Sequence, residues 1–328
     1  AISGSVYSGK QFELYLGLQT GAGTPVAMGT AGAVNSEFVK LDMASISDID
    51  FSGITQDRFL RTGQQIKKPT DHHVSQNGAS YTLSFEWVVS HKQGLQKLLQ
   101  LISEDTASAY EVAGTFSPAV YTDSASTGEL ATVIISNPNT GDDRVLHSAA
   151  LTELSLSMDV GTNGGRLVAS GTFYSGYNPT IGANTVSPSG TQTAYVKTLF
   201  DCSTKQLKET ATSQDMVMKA FSLTIGYPCI TVGSSANAEA YSRGDEYTAS
   251  GSANVKYDGN SDGILSEFLD GDEMLATVGD GSTINFSLPQ IVYTGFNMSM
   301  DDAEGAFVEI PFDCVADGSE NLYSITVA

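Results

Sequence analysis

Asp258-Gly259-Asn260-Ser261-Asp262-Gly263 places oxygen-bearing side chains at alternate positions before a glycine, the first half of a calcium loop. The second half fails. Its twelfth position is Leu269, which cannot supply a bidentate carboxylate, and the central aliphatic residue, Ile264, is out of register. A turn followed by a helix capped by Ser261 or Asp262 is the expectation. His72 and His73 are adjacent, so in an extended chain they point to opposite sides and do not chelate one ion. Ser84, Glu86 and His91 offer a nucleophile, a carboxylate and a base. Yet Glu86 lies in a strand pattern without an identified partner, and Trp87 on the opposite face reads as core. No Gly-x-Ser-x-Gly, His-Glu-x-x-His or phosphate-cradling glycine loop occurs. Cys202, Cys229 and Cys314 are odd in number and lack metal-ligand spacing, as for buried thiols in a reducing compartment. Neither catalysis nor a metal or cofactor is therefore expected.

Charge points away from nucleic-acid binding through phosphates. The 328 residues carry 16 Lys and Arg against 37 Asp and Glu, a net charge of −21, the opposite of what gripping a phosphate backbone requires. The distribution is uneven. Arg58, Arg61, Lys67 and Lys68 cluster in one segment, and no basic residue follows Lys256. No apolar run reaches the roughly 18 residues that would span a bilayer. Residues 1–17 lack the charged and apolar regions of a signal peptide, so neither secretion nor a membrane partner is expected.

The elements around these residues come in duplicate. Tyr81 to Trp87 alternates as a strand and leads into Gly94–Ile102, where Leu95, Leu98, Leu99 and Ile102 form one apolar helical face. Downstream, Tyr247–Val255 and Gly263–Leu269 repeat that order. A hairpin then follows in each copy: Leu154–Asp159 returning as Leu167–Tyr174, and Phe296–Asp301 returning as Phe307–Val315. The segment from Asn178 to Thr193, rich in Gly, Pro, Ser and Thr, reads as a linker. The organisation expected is mainly β, two tandem sandwich or barrel domains each with a short helix: 1–178, a linker at 179–193, and 194–328. Two similar domains in one chain can occupy two similar places in a ring.

Three runs, Ser222–Pro228, Glu246–Glu273 and Phe296–Asp317, together with this order of elements, resemble the major tail tube protein of long-tailed, non-contractile bacteriophages, in its duplicated, trimer-forming type. The resemblance implies a structural virion protein of the tail, assembled in the host cytoplasm. It implies trimeric rings with six-fold pseudosymmetry, stacked into a tube that meets a tape measure protein and tail tip and terminator proteins. Double-stranded DNA would pass through without specific binding. Four inner strands per copy and six copies give about 24 strands, a barrel about 50 Å across and a bore of about 40 Å. The resemblance also implies that the loop Ser52–Gly78, with Arg58, Arg61, Lys67 and Lys68, reaches the neighbouring ring.

Acidic residues on the polar faces of the inner strands would keep passing phosphates off the wall. Glu86, Glu153, Asp159, Asp301 and Asp302 are the wall candidates. Rival readings are an extracellular β-rich adhesin or surface-layer protein, a β-sandwich hydrolase, and the inner tube protein of a contractile tail.

Overall fold

Alternation along Tyr81–Val88 buries Tyr81, Leu83, Phe85 and Trp87 and turns Ser84 and Glu86 outward, and the same period of two recurs through most of the chain. The result, in this computed structural model, is a mainly β fold with large antiparallel sheets and three helices among the described residues. Those residues are 12–19, 38–42, 45–58, 72–104, 114–117, 130–137, 142–183, 206–209, 214–233, 237–243, 247–270, 274–279, 284–301, 305–316 and 321–327.

The first half contains β1 (Glu13–Gln19), β2 (Phe38–Leu41), β3 (Ser45–Ile46), β4 (Thr55–Arg58), β5 (His72–Ser75), β6 (Tyr81–Val88), α1 (Lys92–Ser103), β7 (Gly114–Phe116), β8 (Leu130–Asn137), β9 (Asp142–Asp159), α2 (Val160–Asn163), β10 (Leu167–Ser175) and β11 (Thr180–Ala183). The second contains β12 (Gln206–Glu209), β13 (Gln214–Gly226), β14 (Cys229–Val232), β15 (Ala240–Arg243), β16 (Thr248–Lys256), α3 (Gly259–Asp270), β17 (Met274–Gly279), β18 (Ile284–Tyr293), β19 (Asn297–Asp301), β20 (Gly305–Val315) and β21 (Ser324–Val327).

One pairing scheme serves both halves. In the second, β12 pairs β13, β13 pairs β16, β16 pairs β20, β20 pairs β18, β18 pairs β17, and β17 returns to β12. In the first, β2 pairs β1, β1 pairs β8, β8 pairs β9, β9 pairs β10, β10 pairs β6, and β6 pairs β3, which follows β2 in the chain. Ring contacts fix the correspondence. Phe51 meets Tyr81 edge-on at 5.9 Å, and Tyr227 meets Tyr247 edge-on at 4.6 Å. The bridges Asp50 to Thr82 and Gly226 to Thr248 match in the same way.

A large side chain faces a glycine once in each inner sheet, but on opposite strands. Phe85 of β6 is paired with Gly171 of β10, whereas Gly251 of β16 is paired with Phe312 of β20. A Cβ on Gly171 would stand 2.5 Å from the Glu153 carbonyl oxygen, and one on Gly251 would stand 2.1 Å from that of Ser222. Neither position admits a side chain without moving backbone.

β9 serves two sheets by turning at Ser148, whose φ is +52° and whose amide donates to Gln19 Oε1 at 2.5 Å. α1 and α3 have 12 residues each. His91 caps α1: its Nδ1 accepts from the Gly94 amide at 3.0 Å, so Nε2 carries the proton and donates to the Lys40 carbonyl at 2.9 Å. Gly94 is required there because a Cβ would meet Trp87, His91 and Leu41 within 2.9 Å.

Three expectations change. Thr180–Ala183, read as linker, form β11 on β9, so the ordered first half runs past 178; residues 184–193 lie outside those described. The second helix begins at Gly259 rather than Gly263. Ser261 Oγ donates back to the Asp258 carbonyl at 2.7 Å and accepts from its amide at 3.0 Å, which pulls the preceding residues into the first turn. The segment Ser52–Gly78, expected to be a loop, contains the hairpin β4–β5.

Candidate assembly interface

The inner strands of both halves join in one antiparallel sheet of eight, ordered β3, β6, β10, β9, β13, β16, β20, β19. Its inward face is core. Its outward face reads across the strands in rows, one being Ser45, Glu86, Ser170, Ser155, Thr224, Ser250 and Asp313. The next contains Ser84, Thr172, Glu153, Gly226 and Thr248. Short hydroxyls bond across the strands of this face: Ser84 to Thr172 at 3.1 Å and Thr224 to Ser155 at 3.1 Å in these rows, and Ser222 to Ser252 at 3.1 Å in the row beyond them. Such cross-strand pairs hold the surface flat and polar without long side chains. Neither row holds a Lys or Arg. Arg166, Lys219 and Lys256 all fall at the α2 end of the face, where Lys219 also lies over the Phe307 ring at 5.1 Å.

Within this sheet the halves meet where β9 pairs β13, from Glu153 opposite Gly226 to Asp159 opposite Ala220, and they meet again where β7 pairs β21. The hairpin β14–β15 locks this seam by folding back over the first half. Tyr241 donates to the Ser148 carbonyl at 2.6 Å and accepts from the Gly176 amide at 3.1 Å, while its ring stacks on Tyr177. Arg243 donates to the carbonyls of Leu151 at 3.1 Å and Tyr227 at 2.7 Å, and to Glu104 Oε1 at 2.8 Å. Its guanidinium lies 4.3 Å from the Tyr227 ring centroid. The Arg243 and Glu104 side chains are only 8% and 11% exposed. At the end of α1, Tyr247 donates to the Ile102 carbonyl at 3.1 Å, and Ser103 and Tyr247 both bond Tyr323.

The two outer edges of this sheet have no such partner. Among the described residues β19 pairs only with β20, and β3 only with β6. Unpaired backbone donors and acceptors at an edge are a template for another strand.

Glu86 and Glu153 stand on the outward face, as their strand parity requires. Asp159 is at the same face but engaged: it caps α2, accepting from Thr162 Oγ1 at 2.8 Å and the Gly161 amide at 2.7 Å. The Thr162 hydroxyl bond, together with the amide bonds, holds its carboxyl below the usual range. Asp301 lies on the edge strand β19, and Asp302 lies outside the described residues. Arg58 ends β4, whereas Arg61, Lys67 and Lys68 lie outside the described residues. Glu309 and Asp313, on the same face, were missed, although they alternate with the buried Val308, Ile310, Phe312 and Cys314. Ser84 and Glu86 do not converge with His91, whose ring is committed to the α1 cap, and burial pushes its pKa below the usual value. Among the described residues no cluster of His, Cys, Asp and Glu could hold a metal ion, and no helix is long and apolar enough to cross a membrane. No protein-family model matches this chain, and no curated protein matches it.

Proposed function

We propose that this chain is a structural, non-catalytic subunit of a bacteriophage tail tube of the non-contractile type, forming trimeric rings that stack around a lumen for double-stranded DNA. The observation that carries the reading is the eight-stranded sheet shared by both halves, whose two edges have no further strand among the described residues. Three such sheets joined edge to edge make a closed barrel of 24 strands, about 50 Å across. Its lining would be the outward face of hydroxyls with Glu86, Glu153, Glu309 and Asp313. A wall of short hydroxyls and carboxylates offers phosphates no anchoring cation over the two rows described above, so DNA slides rather than binds.

Stacking remains the task of the basic loop. Arg58, Arg61, Lys67 and Lys68 complement an acidic ring face and give head-to-tail polarity. Tape measure, tail tip and terminator proteins are the further partners of such a tube, and the virion tail is its location. Electron microscopy of particles containing the protein tests the reading. Class averages with three chains and six-fold pseudosymmetry per ring are expected. Rings of six identical chains, or closed globular oligomers, overturn it. Reversing the four basic charges should abolish stacking and leave the circular dichroism spectrum unchanged.

A further inference from the structure

The two halves of one chain already show how neighbours meet, and the outer edges carry the same parts without the neighbour. Leu167 pairs with Met158, and its counterpart Val308 pairs with Met298. Met158 is 1% exposed because β13 covers it, whereas Met298 is 46% exposed. The helices agree. Ile102, near the end of α1, is 0% exposed, and at this end of the helix Tyr247 of the second half donates to the Ile102 carbonyl and Tyr323 bonds Ser103. Leu269, at the same position in α3, is 73% exposed. Met298 thus lacks the cover that Met158 receives from the adjoining half, and Leu269 is exposed at the helix end whose equivalent meets the second half.

On the other side, β3 stands where β13 stands. Ser45 pairs with Glu86 and Ile46 with Phe85, as Ser222 pairs with Ser252 and Leu223 with Gly251. At the internal seam Ser157 lies opposite Ser222, and Leu156 opposite Leu223. Substituting the counterparts gives the register of the missing contact.

We propose that β19 of one chain, together with the preceding Phe296, adds to the β3 edge of a second copy of this chain, antiparallel, with Asn297 opposite Ser45 and Phe296 opposite Ile46. This deepens the ring reading and rests on it. The contact buries Met298 and the end of α3, and it carries the polar row through Asn297 and Ser45 from chain to chain. The covering occupant is a second copy because this chain itself supplies the matching strand, register and parity.

Disulfide trapping in the full-length chain tests the register. Asn297→Cys combined with Ser45→Cys, oxidised in assembled tubes, should give covalent dimers and trimers on non-reducing gels. Ser299→Cys with Ser45→Cys, displaced about 7 Å along the strand, should react about ten-fold more slowly, because a disulfide needs Cβ atoms about 4 Å apart. Ser45→Cys alone controls for the native thiols. Preferential trapping at Ser299 overturns the register. Trapping at neither site in intact tubes overturns the edge pairing while leaving the ring reading in place. Wild-type particles without rings overturn both. Hydrogen exchange on the wild-type chain keeps the test decisive if the cysteine variants fail to fold. Amides of Ser45–Ile46 and Asn297–Asp301 should exchange quickly in the monomer and become protected together on assembly, and protection confined to other segments overturns the proposal.

Discussion

The last inner strand is built differently in the two halves. In the first it is a continuous run of 18 residues, β9, held by β10 on one side and β13 on the other. In the second it is broken into β18 and β19 at Thr294–Phe296, where β20 presents Pro311 in place of Ser170. Proline has no amide to donate, and only the Thr294 amide crosses there, to the Pro311 carbonyl at 2.9 Å. The strand that is captured on both sides is long and buried. The one captured on one side is short, and its methionines are exposed. Strand continuity therefore follows from having two partners as much as from local sequence.

The seams differ as well. Aligned on Thr55 and Thr231, the hairpin β4–β5 carries Ser75 where β14–β15 carries Tyr241, and Asn77 follows where Arg243 stands. Among the described residues the internal seam has a lock that the outer edges lack, so the junction inside the chain is the more firmly held part of the sheet.

Breaking that lock should have the largest effect. Arg243→Ala leaves Glu104 buried without its partner and removes two bonds to carbonyls, so unfolding free energy should fall by about 4 kcal/mol in urea titrations. A loss below about 1 kcal/mol would show that the ladder alone holds the seam. Overfilling comes next. Gly251→Ala forces backbone apart beneath Phe312 and should cost about 3 kcal/mol, whereas Asn77→Ala in the unlocked hairpin should cost under about 0.5 kcal/mol. The two methionines sharpen the contrast between captured and free strands. Met158→Ala should lower stability by about 2 to 3 kcal/mol, and Met298→Ala by less than about 0.5 kcal/mol in the monomer while weakening ring formation. Equal effects in the monomer would remove the asymmetry.

The smallest effect is a pH dependence. His91 is buried beside Trp87, and burial lowers its pKa from 6.5. The unfolded state then binds the proton first. Stability from this group is complete above pH 6.5 and declines as pH falls from there toward the lowered folded value. His147 is shifted the same way by burial and adds to the decline. His91→Asn keeps a cap and should flatten the decline in stability below pH 6.5; an unchanged slope would assign it elsewhere.

Strand identity was legible wherever alternation was clean, as in Tyr81–Val88, and α1 was placed from its apolar spacing, whereas α3 begins four residues before its expected start. What surrounds an element was not. Leu95, Leu98, Leu99 and Ile102 marked one face of α1, but Gln96, Lys97 and Gln100 are buried too, because β-strands cover the remaining sides. Parity identified Glu86 and Glu153 on the outward face and could have identified Glu309 and Asp313. The engagement of Asp159 was hidden, since its cap depends on a four-residue helix too short to show a period. The seam lock was equally hidden, because Arg243 finds Glu104 across 139 residues of chain.

The inverted glycines carry a historical consequence. Phe85 with Gly171 and Gly251 with Phe312 fill equivalent space from opposite strands. If the halves descend from one ancestral repeat, at least one has crossed between these solutions. Every single-step intermediate holds either two phenylalanines in one space or two glycines around a hole. Residues at these four positions are thus mutually contingent: a substitution harmless in one half is damaging in the other, and sequence exchange between the halves is tolerated only for both members of a pair together.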